Sequence, residues 1–155
     1  MGEPARILIV DDDESIREVL TSILTDEGYI VDAVDTGEKA IKATHEKFYN
    51  LALIDIRLPD MEGTKLLTKL KDTIPKMRKI IITGYPTLQN TIEAVNFGAD
   101  AYITKPINME KALKIIREQL QSQAEEKKYS EQKIVEFIET RVKELETREK
   151  GKNKP

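Results

Sequence analysis

Five short apolar runs punctuate the chain: RILIV (6–10), YIVDAV (29–34), LALID (51–55), KIIIT (79–83) and AYIT (101–104). Four of them are dense in Ile, Leu and Val with little polar alternation, the pattern of strands covered on both faces. Helix-period segments lie between the runs. In the first, Ile16, Val19, Leu20, Ile23 and Leu24 recur at three- and four-residue spacing, and Gly28 stops it. Thr36 is placed to N-cap a second helix that runs to His45. A third carries Leu66, Leu67 and Leu70, and a fourth carries Leu88, Ile92, Ala94 and Val95 before Gly98. The fifth starts near Asn108 and presents Leu113, Ile115, Ile116 and Leu120.

Strict alternation of strand and helix with short joints specifies a parallel sheet with helices on both faces. Five such units in about 120 residues fit the α/β, flavodoxin-like (βα)5 doubly wound form, with strand order 2-1-3-4-5. The expected domain covers residues 5–120. From Gln121 onward the composition changes, to nine Lys/Arg and eight Asp/Glu with no strand-like run. Ile134, Phe137, Ile138, Val142 and Leu145 form a narrow apolar stripe at helical spacing, and GKNKP should fray. Residues 121–155 therefore read as a charged helical extension or linker, open to being continuous with the fifth helix. By default such a stripe packs on a neighbouring helix. At about three turns it does not by itself specify a coiled coil.

Composition narrows the function classes. The 155 residues carry 25 Lys/Arg against 28 Asp/Glu, a formal net charge of −3, which argues against a general nucleic-acid surface. With no cysteine there can be no disulfide, thiolate metal site or cysteine nucleophile. Tryptophan is absent and aromatics make up 5%, so base-stacking platforms are not expected. The apolar run near the N-terminus is too short for a signal sequence or a membrane span. Met1-Gly2 is followed by Arg6 where a myristoylation start would carry Ser or Thr. The expectation is a soluble cytoplasmic protein that binds neither membrane nor nucleic acid directly.

The polar residues at the strand ends carry the chemistry. Asp11, Asp12 and Asp13 follow the first run, Asp55 closes the third, Thr83 closes the fourth and Lys105 follows the fifth. Parallel strands bring all of these to one edge of the sheet. In open α/β sheets the ligand crevice lies outside the carboxyl ends, at the switch in strand order, here between the first and third strands. Asp11, Asp12 and Asp55 would meet there. Packed carboxylates raise one another's pKa unless a cation intervenes. An all-oxygen cluster without His or Cys suits a hard divalent ion, Mg²⁺ or Mn²⁺. A nucleophilic carboxylate, a metal, a lysine and a hydroxyl are the parts needed for phosphoryl transfer onto an aspartate.

The segments ILIVDDD (7–13), LALIDIRLPDMEG (51–63), IIITGY (80–85) and DAYITKP (100–106) resemble, in order and spacing, the receiver domains of two-component response regulators. The resemblance covers roughly residues 5–120. It implies that Asp55 is the phosphoacceptor, with a sensor histidine kinase or phosphotransfer protein as donor. It implies Asp12 as a direct Mg²⁺ ligand beside Asp55, Asp11 acting partly through water, and the Arg57 backbone carbonyl as a further ligand. Thr83 and Lys105 would contact the phosphoryl group. Tyr102 matches the aromatic whose rotamer follows Thr83, and Lys105–Pro106 is a candidate cis peptide. Arg57 and Tyr85 would flank the site and govern water access. The output would be the surface of the fourth helix, fifth strand and fifth helix, read by a downstream protein or a second copy. On this reading the domain catalyses its own modification but is not a conventional turnover enzyme.

Plainer roles stand beside these. Asp13 suits an N-cap of the first helix, Asp60 a solvated turn, Tyr102 a core aromatic and GYP (84–86) a turn. His45, the lone histidine, reads as a surface residue and not as a phosphoryl donor. Asp11-x-Asp13 also fits a haloacid-dehalogenase-type phosphohydrolase, but that class predicts neither Asp55 nor Lys105. A receiver fold used only for unphosphorylated docking is the remaining alternative. No output domain is recognisable after residue 120, so the chain either acts through its own surface or is a piece of a longer protein cut at the linker.

Overall fold

The structure, a computed structural model, describes residues 2–152. The chain divides into one unit ending at Gln123 and a second beginning at Ala124. The first holds strands β1 (Arg6–Val10), β2 (Ile30–Val34), β3 (Leu51–Asp55), β4 (Arg78–Thr83) and β5 (Ala101–Thr104). All pair in parallel, in the order β2-β1-β3-β4-β5. Helices α1 (Glu14–Asp26), α2 (Gly37–Glu46), α3 (Gly63–Leu66) and α4 (Leu88–Asn96) connect them, and α5 runs Met109–Lys152. This is the doubly wound flavodoxin-like arrangement expected from the alternation of apolar runs.

Each face of the sheet has its own core. Leu8, Val10, Ala52, Ile54 and Ile81 pack with Ala40 of α2, Leu66 of α3 and Ala94 of α4. Ile7, Ile9, Leu51, Leu53 and Ile80 pack on the other face with Leu20 and Leu24 of α1 and Ala112 and Ile116 of α5. Every residue of β1 after Arg6, and all of β3 and β4, are buried, so uninterrupted apolar runs mark the central strands. The edge strand β2 is partly open, which is why it admits Asp32 among its apolar residues.

Capping residues set the helix starts. Asp13 Oδ1 accepts from Ile16 N, Thr36 Oγ1 from Lys39 N and Thr87 Oγ1 from Asn90 N, each contributing about 1 kcal/mol. Gly28 and Gly98 end α1 and α4 at positive φ (97° and 95°), where a side chain would be strained.

Several expectations need correction. The third helix is a single turn, not one extending through Leu70. A longer helix would pair the Leu67 carbonyl with the Lys71 N–H. Instead that carbonyl accepts from buried Lys79 Nζ at 2.8 Å, and Lys71 N donates to Thr44 Oγ1 at 3.3 Å. Leu67 and Leu70 are still buried, from a turn rather than a helix. Val19 in α1 and Leu88, Ile92 and Val95 in α4 are exposed, although their spacing matched the apolar period. In α4 only Ala94 is fully buried. Buried Gln123, the last residue of the first unit, donates to the carbonyls of Asn50 (2.9 Å) and Lys76 (2.8 Å). Beyond it the chain stays helical through Gly151 and Lys152; residues 153–155, the rest of the expected frayed end, lie outside the described residues.

Candidate functional site

The register of the strands gathers the predicted residues. Val10 lies opposite Ile54, Asp55 opposite Ile82 and Thr83 opposite Thr104, so the residues that end or follow these strands share the carboxyl edge. Asp11, immediately after β1, is 2% exposed. Its Oδ1 accepts from Asp13 N at 2.9 Å and its carbonyl accepts from Arg17 Nη1 at 2.8 Å. Asp55, the last residue of β3, is 7% exposed, and its Oδ1 accepts from Arg57 N at 3.3 Å. Lys105 Nζ spans the two acids, 3.2 Å from Asp11 Oδ2 and 3.3 Å from Asp55 Oδ2. Asp12 is exposed, and carboxylate oxygens of Asp11, Asp12 and Asp55 lie within 4.8 Å of one another.

The charges do not balance. Three carboxylates against one ammonium leave two formal negative charges at a largely buried edge. Burial raises the Asp55 pKa above the ordinary carboxylate value and the Asp11 carboxylate raises it further, with Lys105 opposing both. Burial acts to lower the Lys105 pKa, but the carboxylates of Asp11 and Asp55 outweigh it and hold the ammonium charged. A hard divalent cation matches both the missing charge and the all-oxygen donor set, so these residues fit Mg²⁺.

The other predicted residues surround this cluster. Thr83 is fully buried, and its Oγ1 accepts from Tyr85 N at 3.1 Å. Lys105 N donates to the Thr83 carbonyl at 2.7 Å, tying the β4 and β5 ends together. The Lys105–Pro106 peptide is cis, as is Ile74–Pro75, which the sequence did not suggest. The Arg57 guanidinium lies 4.4 Å from the Tyr85 ring centroid, joining the two loops that flank the cluster. Tyr102, aligned with Ile81 on the adjacent strand, packs against the core, and its buried hydroxyl has no hydrogen-bond partner among the described residues. Asp13 is engaged as the α1 cap rather than facing a substrate. His45 is exposed.

Asp60 is exposed in its turn, as expected, and it is also bonded. Its two oxygens accept from Gly37 N and Glu38 N, both at 2.9 Å, which anchors the loop after β3 to the start of α2. Those two bonds lower the Asp60 pKa. Gly63 closes the same loop: its N–H donates to the Ile56 carbonyl at 2.7 Å, and a Cβ there would collide with the Asp55 carbonyl. Arg17 is the remaining group the sequence did not reveal. Its contact is with a backbone carbonyl, for which no residue pattern codes.

A family model described as the response regulator receiver domain matches residues 7–117. The chain belongs to this receiver family. A solved CheY-like receiver from Methanospirillum hungatei JF-1 is 47% identical, with a TM-score of 0.76, covering 79% of this chain and 98% of that one. The beryllofluoride-activated NtrC4 receiver domain, solved as a dimer, is 32% identical with a TM-score of 0.71, covering 76% and 98%. Among curated proteins, the transcriptional regulatory protein ZraR of Klebsiella oxytoca is 36% identical over 71% of this chain and 25% of its own length. The DNA-binding transcriptional regulator NtrC of Proteus hauseri is 33% identical over 81% and 26%. The receiver thus spans about a quarter of the length of these two regulators. Among the described residues, no helix is long and apolar enough to cross a membrane.

Proposed function

We propose that this receiver accepts a phosphoryl group on Asp55 from a phosphohistidine of a sensor kinase or phosphotransfer protein. The observation that carries the reading is the ammonium of Lys105 held between Asp11 and Asp55 beside Asp12, a cluster short of positive charge at the sheet's carboxyl edge. Asp11, Asp12, Asp55 and the Arg57 carbonyl would hold Mg²⁺, with Asp11 acting partly through water. Once bound, the ion supplies positive charge that offsets the phosphoryl oxygens. An Asp55 carboxylate oxygen attacks phosphorus in line, forming an acyl phosphate as the bond to the donor imidazole breaks. Lys105 already stands 3.3 Å from Asp55 and is placed to follow the charge onto the phosphoryl oxygens. Arg57 and Tyr85, stacked at the rim, limit the approach of water to the acyl phosphate.

Thr83 gives up its bond to Tyr85 N and turns toward the phosphoryl group, and Tyr102 moves inward with it. The unpartnered Tyr102 hydroxyl supports a side chain held by packing alone and free to change rotamer. The α4–β5–α5 surface then passes the signal to a downstream protein or a second copy. The apolar side chains of Leu88, Ile92 and Val95, exposed on α4, support that assignment. The receiver modifies itself in this scheme and turns over no separate substrate. Incubation with Mg²⁺ and a small phosphodonor should add one phosphate by intact mass, and Asp55→Asn should abolish the addition. An unmodified wild-type protein would refute the reading.

A further inference from the structure

The unit beginning at Ala124 has an apolar seam of its own. Val135, Ile138, Val142 and Leu145 succeed one another at spacings of three, four and three residues, each about half exposed. That is the alternation by which one helix packs along another at 3.5 residues per turn, with β-branched Val at one core position and Ile or Leu at the other. Thr140 and Thr147 lie on the opposite side of the helix, and each hydroxyl bonds back to a carbonyl four residues earlier. Lys128 and Glu131 precede the seam in the same register and Glu149 follows it, so the apolar contact is bounded at both ends by charge.

The flanking charges select the occupant. In a parallel, in-register pair of these helices, Arg141 of each copy faces Glu146 of the other, giving two opposite-charge contacts across the seam. An antiparallel pair would instead set Glu139 and Glu146 against each other on one side and Arg141 and Arg148 on the other. The present partner of Arg141 is Glu144 of its own helix, 3.0 Å away in an exposed pair that is readily exchanged. Val142 at the first core position with Leu145 at the second is the pairing that favours two strands. We propose that the tail helix, over about residues 134–148, forms a parallel, in-register two-stranded coiled coil with a second copy of this chain. The seam covers only two heptads, so the association is reversible and depends on protein concentration.

Sedimentation of the whole chain through a dilution series tests this, because none of the seam residues lies in the compact unit. The mass should fall from dimer to monomer on dilution, and Ile138→Glu should weaken dimerisation at least tenfold with helix content by circular dichroism retained. A wild-type chain monomeric at every concentration, including one that instead captures a different protein, overturns the proposal. So does a dimer indifferent to Ile138→Glu, which would be assembled through another surface. Arg141→Glu and Glu146→Arg should each weaken the dimer and together restore it; failure to restore it refutes the register. The chain has no native cysteine, so Leu145→Cys should give a disulfide-linked dimer on oxidation while Thr140→Cys should not. Equal linkage at both positions would contradict the seam.

Discussion

At the amino end of the sheet, Asn50 Oδ1 accepts from Arg6 N, Gln123 donates to the Asn50 and Lys76 carbonyls, and Asp100 accepts from Lys79 N with Arg78 beside it. At the carboxyl end, Asp11 and Asp55 share one lysine, with the Asp12 carboxylate close beside them. Both ends bring polar side chains to the tips of buried strands. One end pairs amides with backbone groups and a carboxylate with a guanidinium, so that little is left unmatched. The other leaves a charge deficit that the fold does not fill. The first arrangement stabilises the chain; the second has the charge and donor set to take a cation from outside.

The sharpest way to separate the two ends is to remove the ammonium that Asp11 and Asp55 share. Lys105→Met should slow phosphodonor labelling about a hundredfold or more, the scale on which a positioned transition-state donor acts, as followed by intact mass over time. Full-rate labelling would place Lys105 in a structural role. The matching change at the amino end is Gln123→Ala, which removes a donor from the Asn50 and Lys76 carbonyls, the first of which keeps its bond from Arg78 N. It should cost about 1–3 kcal/mol in urea denaturation and leave the labelling rate unchanged.

Two aspartates of one loop give a smaller test, with opposite signs, in chelator-treated buffer. The Asp55 pKa is raised by burial and by Asp11, so the folded chain holds that proton more tightly than the unfolded one does. Its ionisation costs stability as pH rises above the ordinary carboxylate value and through the folded pKa. Asp55→Asn should therefore raise the denaturation midpoint at neutral pH, with the gain shrinking as pH falls below the ordinary carboxylate value. The Asp60 pKa is lowered by its bonds to Gly37 N and Glu38 N, so its contribution is present above the ordinary carboxylate value and lost as pH falls through the folded one. Asp60→Asn should lower the midpoint at neutral pH and converge on wild type in acid. Shifts of the same sign at the two positions would undo the contrast.

How far the sequence could be read follows the same division. The three central strands were legible because β1, β3 and β4 are buried on both faces, which demands largely apolar runs. The cluster was legible because parallel strands bring every carboxyl end to one edge, so Asp11, Asp55, Thr83 and Lys105 could be placed from order alone. What stayed hidden depends on contacts between segments far apart in the chain. Asp60 meets the start of α2 across 23 residues, and Gln123 meets Asn50 across 73. The third helix was overread because buried Lys79 and Thr44 take the groups that would have continued it. In α4, apolar spacing implied a buried face where Leu88 and Val95 are exposed, since periodicity reports that a face is apolar without saying what covers it.

The charge deficit itself is open to one direct measurement. Thermal unfolding of the wild-type receiver should shift upward as Mg²⁺ is titrated in, because a ligand that binds only the folded state stabilises it by RT ln(1 + [L]/Kd). Asp12 is exposed, so Asp12→Asn should leave the metal-free melting temperature close to wild type and abolish most of the Mg²⁺ response. A wild-type melting temperature indifferent to Mg²⁺, or an equal response in Asp12→Asn, would contradict the view that this edge is built to be completed by a cation.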